Sequence, residues 1–155
     1  MEDMLSLRFQ NSVSSGNEIQ VVAFQLGKEE YAVDILNVQE INRLLNITRV
    51  PRAEKHIDGV INLRGNIIPV INLHKKFNLQ SSGNEEDKRI IVFEFEDVKA
   101  GIIVDEVSEV LRLNTADIEA TDRVYNSINA DHIKGIAKVQ ERLLILLDLQ
   151  KILDL

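Results

Sequence analysis

The sequence has no cysteine and no tryptophan, and only two tyrosines and five phenylalanines among 155 residues. The lack of cysteine excludes disulfide bonds and thiolate metal sites. With few aromatic side chains and a composition that is 45% hydrophobic, the core must consist mainly of Val, Ile and Leu. A chain of this length buries roughly 70% of its unfolded surface, so a folded domain with an aliphatic core is expected.

Long hydrophobic runs and an excess of basic residues are also missing. No apolar run approaches the ~18 residues that cross a bilayer, and the first 20 residues carry Glu2 and Asp3 where a signal peptide would be basic. We therefore expect a cytoplasmic protein with no direct membrane insertion. The net charge of -7 argues against a nucleic-acid partner, because phosphate binding depends on Lys and Arg.

Catalytic signatures are absent from the sequence as well. It contains no GxSxG, no phosphate-binding GxxxxGK[ST], no HExxH and no GxGxxG. Asp105 and Glu106 form an acidic pair that could do acid/base work, but no nucleophile lies near them in sequence. The sequence thus predicts a protein that acts by binding, without enzymatic activity, cofactor or metal.

The two halves of the chain repeat one pattern. VAFQLGKEEYAVDILNVQEI (22–41) aligns without a gap with IVFEFEDVKAGIIVDEVSEV (91–110), and HIDGVINLRGNIIPVINLHKKF (56–77) aligns with HIKGIAKVQERLLILLDLQKIL (132–153). β-Branched, alternating segments bounded by turn residues are typical of strands. We interpret the repeat as a duplication that produces two lobes of about five short strands, each of which curls into a small barrel.

The same pattern predicts the organisation of the chain. Residues 10–18, QNSVSSGNE, are polar and rich in Gly and Ser, so we expect residues 1–17 to form a flexible leader. The domain then spans 18–155, with a first lobe at about 18–79 and a second at about 88–155, separated by the polar QSSGNEEDK. Each lobe could consist of contiguous chain, or early strands could swap between the lobes.

The duplication separates architectural features from specific ones. Gly59 recurs as Gly135, so it is expected at a bulge or a close backbone approach. Arg64-Gly65 does not recur, because the second copy reads Gln140-Glu141. We predict a tight turn at Gly65-Asn66, with Arg64 projecting from the end of the preceding strand. Such an arginine is either a solvated surface residue or a docking group for carboxylates or backbone carbonyls.

Further residues are candidates for the same partner-binding surface. VQEI in the first lobe could bring Glu40 near Arg64, which would pair and orient the arginine. Two barrels packed side by side also leave a groove between them. Ile35, Val38 and Val104 could line the rim of this groove or belong to the core.

Four segments together carry a family resemblance, in the order VVAFQLGKEEYAVDILNVQEI, HIDGVINLRGNIIPVINL, AGIIVDEVSEVL and GIAKVQERLLILLDLQKIL. In this order, from about residue 18 onward, the sequence resembles the CheW family of bacterial chemotaxis coupling proteins. The resemblance implies two pseudo-symmetric five-stranded SH3-like barrels. It also implies a non-enzymatic adaptor that binds the cytoplasmic tip of methyl-accepting chemotaxis receptors and the regulatory domain of the histidine kinase CheA. Such an adaptor is recruited to membrane receptor arrays by its partners.

The resemblance also implies roles for single residues. In the family, the arginine of NLRG and the glutamate of VQEI are associated with partner binding, and they map onto Arg64 and Glu40. The valine of VQEI maps onto Val38, and the glycine that opens GVxNLRG maps onto Gly59. Many members read PVIDL where this chain has Asn72 in place of the acid, which puts an ion pair there in doubt. Two alternatives remain: a CheW-like paralogue that serves another receptor–kinase pathway, and a small β-barrel that binds nucleic acid or another ligand.

Overall fold

The computed structural model describes residues 17–51, 56–120 and 130–153, in which β-strands dominate. The predicted leader therefore lies, except for Asn17, outside the described residues. The strands are β1 (Glu18–Leu26), β2 (Glu29–Asp34), β3 (Val38–Arg43), β4 (Ile57–Leu63), β5 (Asn66–Ile71), β6 (Arg89–Phe95), β7 (Val98–Val104), β8 (Glu106–Asn114), β9 (Ile118–Glu119), β10 (Ile133–Val139) and β11 (Arg142–Leu147). Two short helices are α1 (Leu73–Phe77) and α2 (Leu149–Leu153). Single 3-10 turns lie at Ile35–Asn37, Glu85–Asp87, Thr115–Asp117 and Ala130–His132.

The strands form two sheets that each curl into a barrel. The first barrel has the strand order β3-β6-β7-β5-β4, and the second has the order β8-β1-β2-β11-β10-β9. In each barrel one parallel pair, β5 with β7 or β11 with β2, joins antiparallel hairpins. The prediction of an all-β protein with two five-stranded barrels is confirmed, with the two-residue β9 as an additional strand.

Each barrel contains strands from both repeats. The hairpin β1–β2 belongs to the first repeat, yet it lies between β8 and β11 in the second barrel. Its counterpart β6–β7 likewise lies between β3 and β5 in the first barrel. The early strands of the two repeats are thus exchanged, which was one of the two arrangements left open by the sequence. The lobe boundaries at about 18–79 and 88–155 remain sequence predictions.

The hydrophobic residues form one core between the barrels and a smaller core inside each of them. In β1, Val22 and Phe24 face the shared core, whereas Val21 and Ala23 face the interior of the second barrel. Both faces of this strand are therefore buried, which explains why the run VVAF does not alternate with polar residues. Its counterpart β6 is buried in the same way, between the shared core and the interior of the first barrel.

Each barrel closes where a glycine lets two backbones approach. In the first barrel, Thr48 and Val60 exchange two backbone hydrogen bonds of 2.8 Å. A Cβ atom on Gly59 would overlap the carbonyl oxygen of Thr48. In the second barrel, a Cβ atom on Gly135 would collide with Ile118 of β9. The close approach predicted for both glycines is confirmed.

We expect Gly59→Ala to lower the free energy of unfolding by about 3 kcal/mol or more, because backbone atoms cannot move aside as a flexible side chain can. Gly65→Ala is the matched control. Its added Cβ would meet no atom within 4 Å, so only the strain of its positive φ remains, about 1 kcal/mol. Urea denaturation of both variants measures the difference, and equal losses would show that barrel closure does not require the glycine.

A buried carboxylate fastens the segment that follows α1. Asp105 connects β7 to β8 and is 1% exposed. It accepts hydrogen bonds from the backbone N–H groups of Gly27 (2.7 Å) and Ser82 (3.1 Å). The Ser81 hydroxyl donates a further hydrogen bond (2.7 Å), and His74 Nε2 lies 3.0 Å from Oδ1. Burial alone would raise the pKa of Asp105, but these hydrogen bonds outweigh it and hold the pKa below its ordinary value. The carboxylate thus serves as a structural hydrogen-bond acceptor.

The Asp105 carboxylate should make stability depend on pH. Because its pKa is lower in the folded chain, its contribution is complete above the ordinary pKa of aspartate and is lost as the pH falls through the folded value. Asp105→Asn should lower the free energy of unfolding by about 2–3 kcal/mol at neutral pH. In urea denaturation, this difference should shrink between roughly pH 5 and pH 2. If the difference in the free energy of unfolding stays constant with pH, the carboxylate of Asp105 is not ionised in the folded chain.

Candidate functional site

The hairpin that joins β4 to β5 ends in a two-residue turn formed by Arg64 and Gly65. Both residues have positive φ, 53° and 86°, as both central residues of a type I′ hairpin turn do. The prediction of a turn at Gly65-Asn66 is therefore wrong by one residue, because Asn66 already belongs to β5. Arg64 is the first turn residue and does not extend from the strand. Gln140, its counterpart in the second barrel, has the same left-handed conformation, with φ of 56°.

Arg64 forms a two-pronged ion pair with Glu40. Its Nη2 lies 2.9 Å from Oε2 of Glu40, and its Nη1 donates to Oε1 at 3.1 Å. The Arg64 side chain is 72% exposed, whereas that of Glu40 on β3 is 19% exposed. The hydrogen bond from the guanidinium lowers the pKa of Glu40, and the same contact raises the pKa of Arg64. The pairing hypothesised from the sequence is present, and it leaves most of the guanidinium open to solvent.

The apolar candidates lie elsewhere. Ile35 and Val38 are 1% exposed, and Val104 is 0% exposed. All three pack in the shared core, so they offer no surface that a partner could contact. Their assignment to a groove rim is therefore corrected to the core alternative. Gly59 is also buried and acts in barrel closure. Among the predicted residues, the structure brings only Arg64, Glu40 and the exposed Gly65 together at the surface.

An ion-pair cluster in the second barrel was not predicted from the sequence. Arg142, the first residue of β11, pairs with Glu30 at 2.6 Å and with Glu109 at 3.1 Å. Glu109 is the counterpart of Glu40, so in each barrel the glutamate that recurs in the repeat is paired with an arginine. The arginines come from different positions, however. Arg142 is less exposed, at 34%, and bridges two carboxylates that lie 79 residues apart in sequence, which no local pattern reveals.

Comparisons with known proteins identify the family of the chain. A family model described as the CheW-like domain matches residues 20–155. The chain is therefore a member of the CheW-like family. It is 37% identical over 139 residues to the "Chemotaxis protein CheW" of Treponema pallidum, covering 87% of this chain and 82% of the relative. It is 39% identical over 135 residues to the protein of that name from Klebsiella aerogenes, covering 87% and 81%. The crystal structure of the scaffolding protein TtCheW from Thermoanaerobacter tengcongensis matches with a TM-score of 0.81 and 38% identity over 88% of each chain.

Two further features of this CheW-like domain concern metals and membranes. Within residues 17–51, 56–120 and 130–153, no group of three or more His, Asp or Glu side chains is arranged to hold a metal ion. No helix in the same residues is long and apolar enough to cross a membrane.

Asn72, the departure from the family's PVIDL pattern, lies beside an acid. Its Nδ2 donates to Oδ2 of Asp58 at 2.9 Å, while its own Oδ1 accepts the Lys75 backbone N–H and caps α1. The second copy of the CheW-like pattern carries Lys134 and Asp148 at the positions of Asp58 and Asn72. An amide is therefore suited to position 72, because a carboxylate there would face Asp58.

Asn72→Asp should lower the free energy of unfolding by about 1 kcal/mol, because two carboxylates would then replace the amide–carboxylate hydrogen bond. Adding Asp58→Lys recreates the residue pair of the second barrel and should recover the loss. Thermal unfolding of the single and double variants measures both changes. Failure of the second substitution to restore stability would mean that the two positions do not compensate each other.

Proposed function

We propose that this CheW-like domain is a non-enzymatic adaptor that couples methyl-accepting chemotaxis receptors to the histidine kinase CheA. The family membership supports this proposal, and so do the relatives, which are named as chemotaxis and scaffolding proteins. The adaptor acts in the cytoplasm and reaches the membrane through its receptor partner. It binds the cytoplasmic tip of the receptor and the regulatory domain of the kinase.

The exposed Arg64–Glu40 pair is the observation that carries the proposed docking surface. Arg64 occupies a left-handed backbone conformation that disfavours side chains with a Cβ atom. A glycine would relieve this strain without changing the turn. The turn of the second barrel has the same conformation at Gln140, so the exposed guanidinium, and not the backbone strain, carries the proposal. The guanidinium retains free donors beyond those that contact Glu40, and these suit carboxylates or backbone carbonyls of a partner.

Arg64→Glu should weaken binding to the receptor tip or to the kinase regulatory domain by at least about tenfold, because a carboxylate would face the acceptors that the arginine donates to. The thermal midpoint should stay within about 2 °C of wild type, since the side chain is mostly exposed. Titration calorimetry with each partner fragment, alone and together, measures the effect. Arg43→Glu, an exposed substitution on the same barrel, is the control and should leave both affinities unchanged.

A charge exchange separates docking from support of the barrel. The double variant Glu40→Arg with Arg64→Glu restores an ion pair between β3 and the turn but reverses the exposed charge. We expect its partner binding to stay as weak as that of Arg64→Glu alone. Recovery of wild-type affinity would show that the pair only holds the hairpin in place, and wild-type affinity of Arg64→Glu itself would refute the docking role.

A further inference from the structure

Asn62 holds the turn that carries Arg64. It lies on β4, two residues before Arg64, and its Oδ1 accepts the backbone N–H of Gly65 at 3.0 Å. An asparagine that accepts from a backbone N–H a few residues ahead stabilises a turn locally. The hydrogen bond spans Arg64, so it favours the backbone conformation from which the guanidinium reaches Glu40.

Asn42 holds the other half of the pair. It lies on β3, two residues after Glu40, and its Nδ2 donates to Oε1 of Glu40 at 3.0 Å. The same oxygen accepts the hydrogen bond from Nη1 of Arg64. Contacts from Asn42 and from both terminal nitrogens of Arg64 therefore fix the plane of the carboxylate, and with it the direction of the guanidinium.

The second barrel lacks both asparagines although it keeps the glutamate. Glu109 corresponds to Glu40, but Leu111 stands at the position of Asn42 and Lys138 at that of Asn62. The hairpin of the second barrel nevertheless forms, with the same register and a two-residue turn. The barrel architecture therefore does not require the asparagines. They occur only in the copy that carries Arg64.

We infer that Asn62 and Asn42 are positioning residues that orient Arg64 for its partner. This inference rests on the proposed docking role of Arg64 and deepens it. Asn62 acts as a hydrogen-bond acceptor toward the turn, and Asn42 acts as a donor toward Glu40. The partner group that such an oriented guanidinium recognises is a carboxylate or a pair of backbone carbonyls, which match its planar donors.

The opposite roles of the two asparagines predict opposite responses to one substitution. Asn62→Asp keeps an acceptor for the Gly65 N–H and should bind the partner within about twofold of wild type. Asn42→Asp replaces the donor by a carboxylate facing Glu40 and should weaken binding by about fivefold or more. Asn62→Ala and Asn42→Ala each remove the contact and should weaken binding by about fivefold.

The dependence on Arg64 distinguishes positioning from direct contact. In an Arg64→Ala background, neither alanine substitution should weaken binding further, because nothing remains to be oriented. Exchange of the Gly65 amide hydrogen should accelerate in Asn62→Ala and stay at the wild-type rate in Asn62→Asp. Lys138→Ala, at the equivalent position of the second barrel, is the control and should change neither the affinity nor the exchange.

Calorimetric titration of these variants against the receptor tip and the kinase regulatory domain, with thermal midpoints measured in parallel, decides the matter. Equal effects of Asn62→Asp and Asn62→Ala, a harmless Asn42→Asp, or additive losses in the Arg64→Ala background would overturn the inference while leaving the adaptor function intact. If Arg64→Glu weakens neither association, the docking role of Arg64 fails together with the positioning role. If wild-type protein binds neither partner, the proposed function itself is refuted.

Discussion

The insertion of the β1–β2 hairpin between β8 and β11 is the constraint on which the rest of the structure depends. β1 is buried on both faces, one in the shared core and the other inside the second barrel. The counterpart β6–β7 hairpin completes the first barrel in the same way. Because each barrel is completed by strands of the other repeat, neither repeat can form a complete barrel alone, and separating the barrels would expose the shared core. The two barrels therefore form one cooperative unit in which distant loops have fixed relative positions.

Within this rigid frame, the hairpin tips are free to differ. The glycines of barrel closure, Gly59 and Gly135, recur because a Cβ atom at either position collides with a crossing strand. The left-handed residue of the turn recurs as well, as Arg64 in one barrel and Gln140 in the other. Backbone strain alone therefore does not mark the first tip as special. What distinguishes it is the exposed cation, together with the polar side chains that hold the turn and the glutamate.

Features that depend on local pattern or on the internal repeat could be predicted from the sequence. The alternating strands and the duplication indicated two barrels, and the recurrence of Gly59 as Gly135 indicated a close approach. The strand exchange could not be predicted, because the early hairpins of the two repeats have similar patterns and fit either barrel. The position of the turn was also misjudged, since Gly-Asn is a far commoner source of positive φ than Arg-Gly.

The burial of side chains and the contacts between distant segments were harder to predict from the sequence. Ile35, Val38 and Val104 lie in sequence patterns that fit a groove rim as well as a core, and only the packing of the two sheets places them inside. In the sequence, Asp105 appears only as half of an acidic pair with Glu106. Its hydrogen-bond donors come from three other segments, the farthest of them 78 residues away, so no spacing rule connects them.

The geometry of the Arg64–Glu40 pair is better suited to holding the guanidinium in one orientation at the surface than to stabilising the fold. An ion pair with one largely exposed partner adds little to folding, because water screens the attraction and a flexible side chain loses freedom. Here the carboxylate is mostly covered and the guanidinium is mostly open. A free arginine would lose side-chain entropy on docking, whereas one already held by Glu40 has lost much of it in the unbound protein. In the docking role proposed for Arg64, this arrangement would lower the entropic cost of association. The same role would make recognition sensitive to the neighbours that fix the turn and the carboxylate, so the specificity of the proposed surface would depend on residues that the partner does not touch.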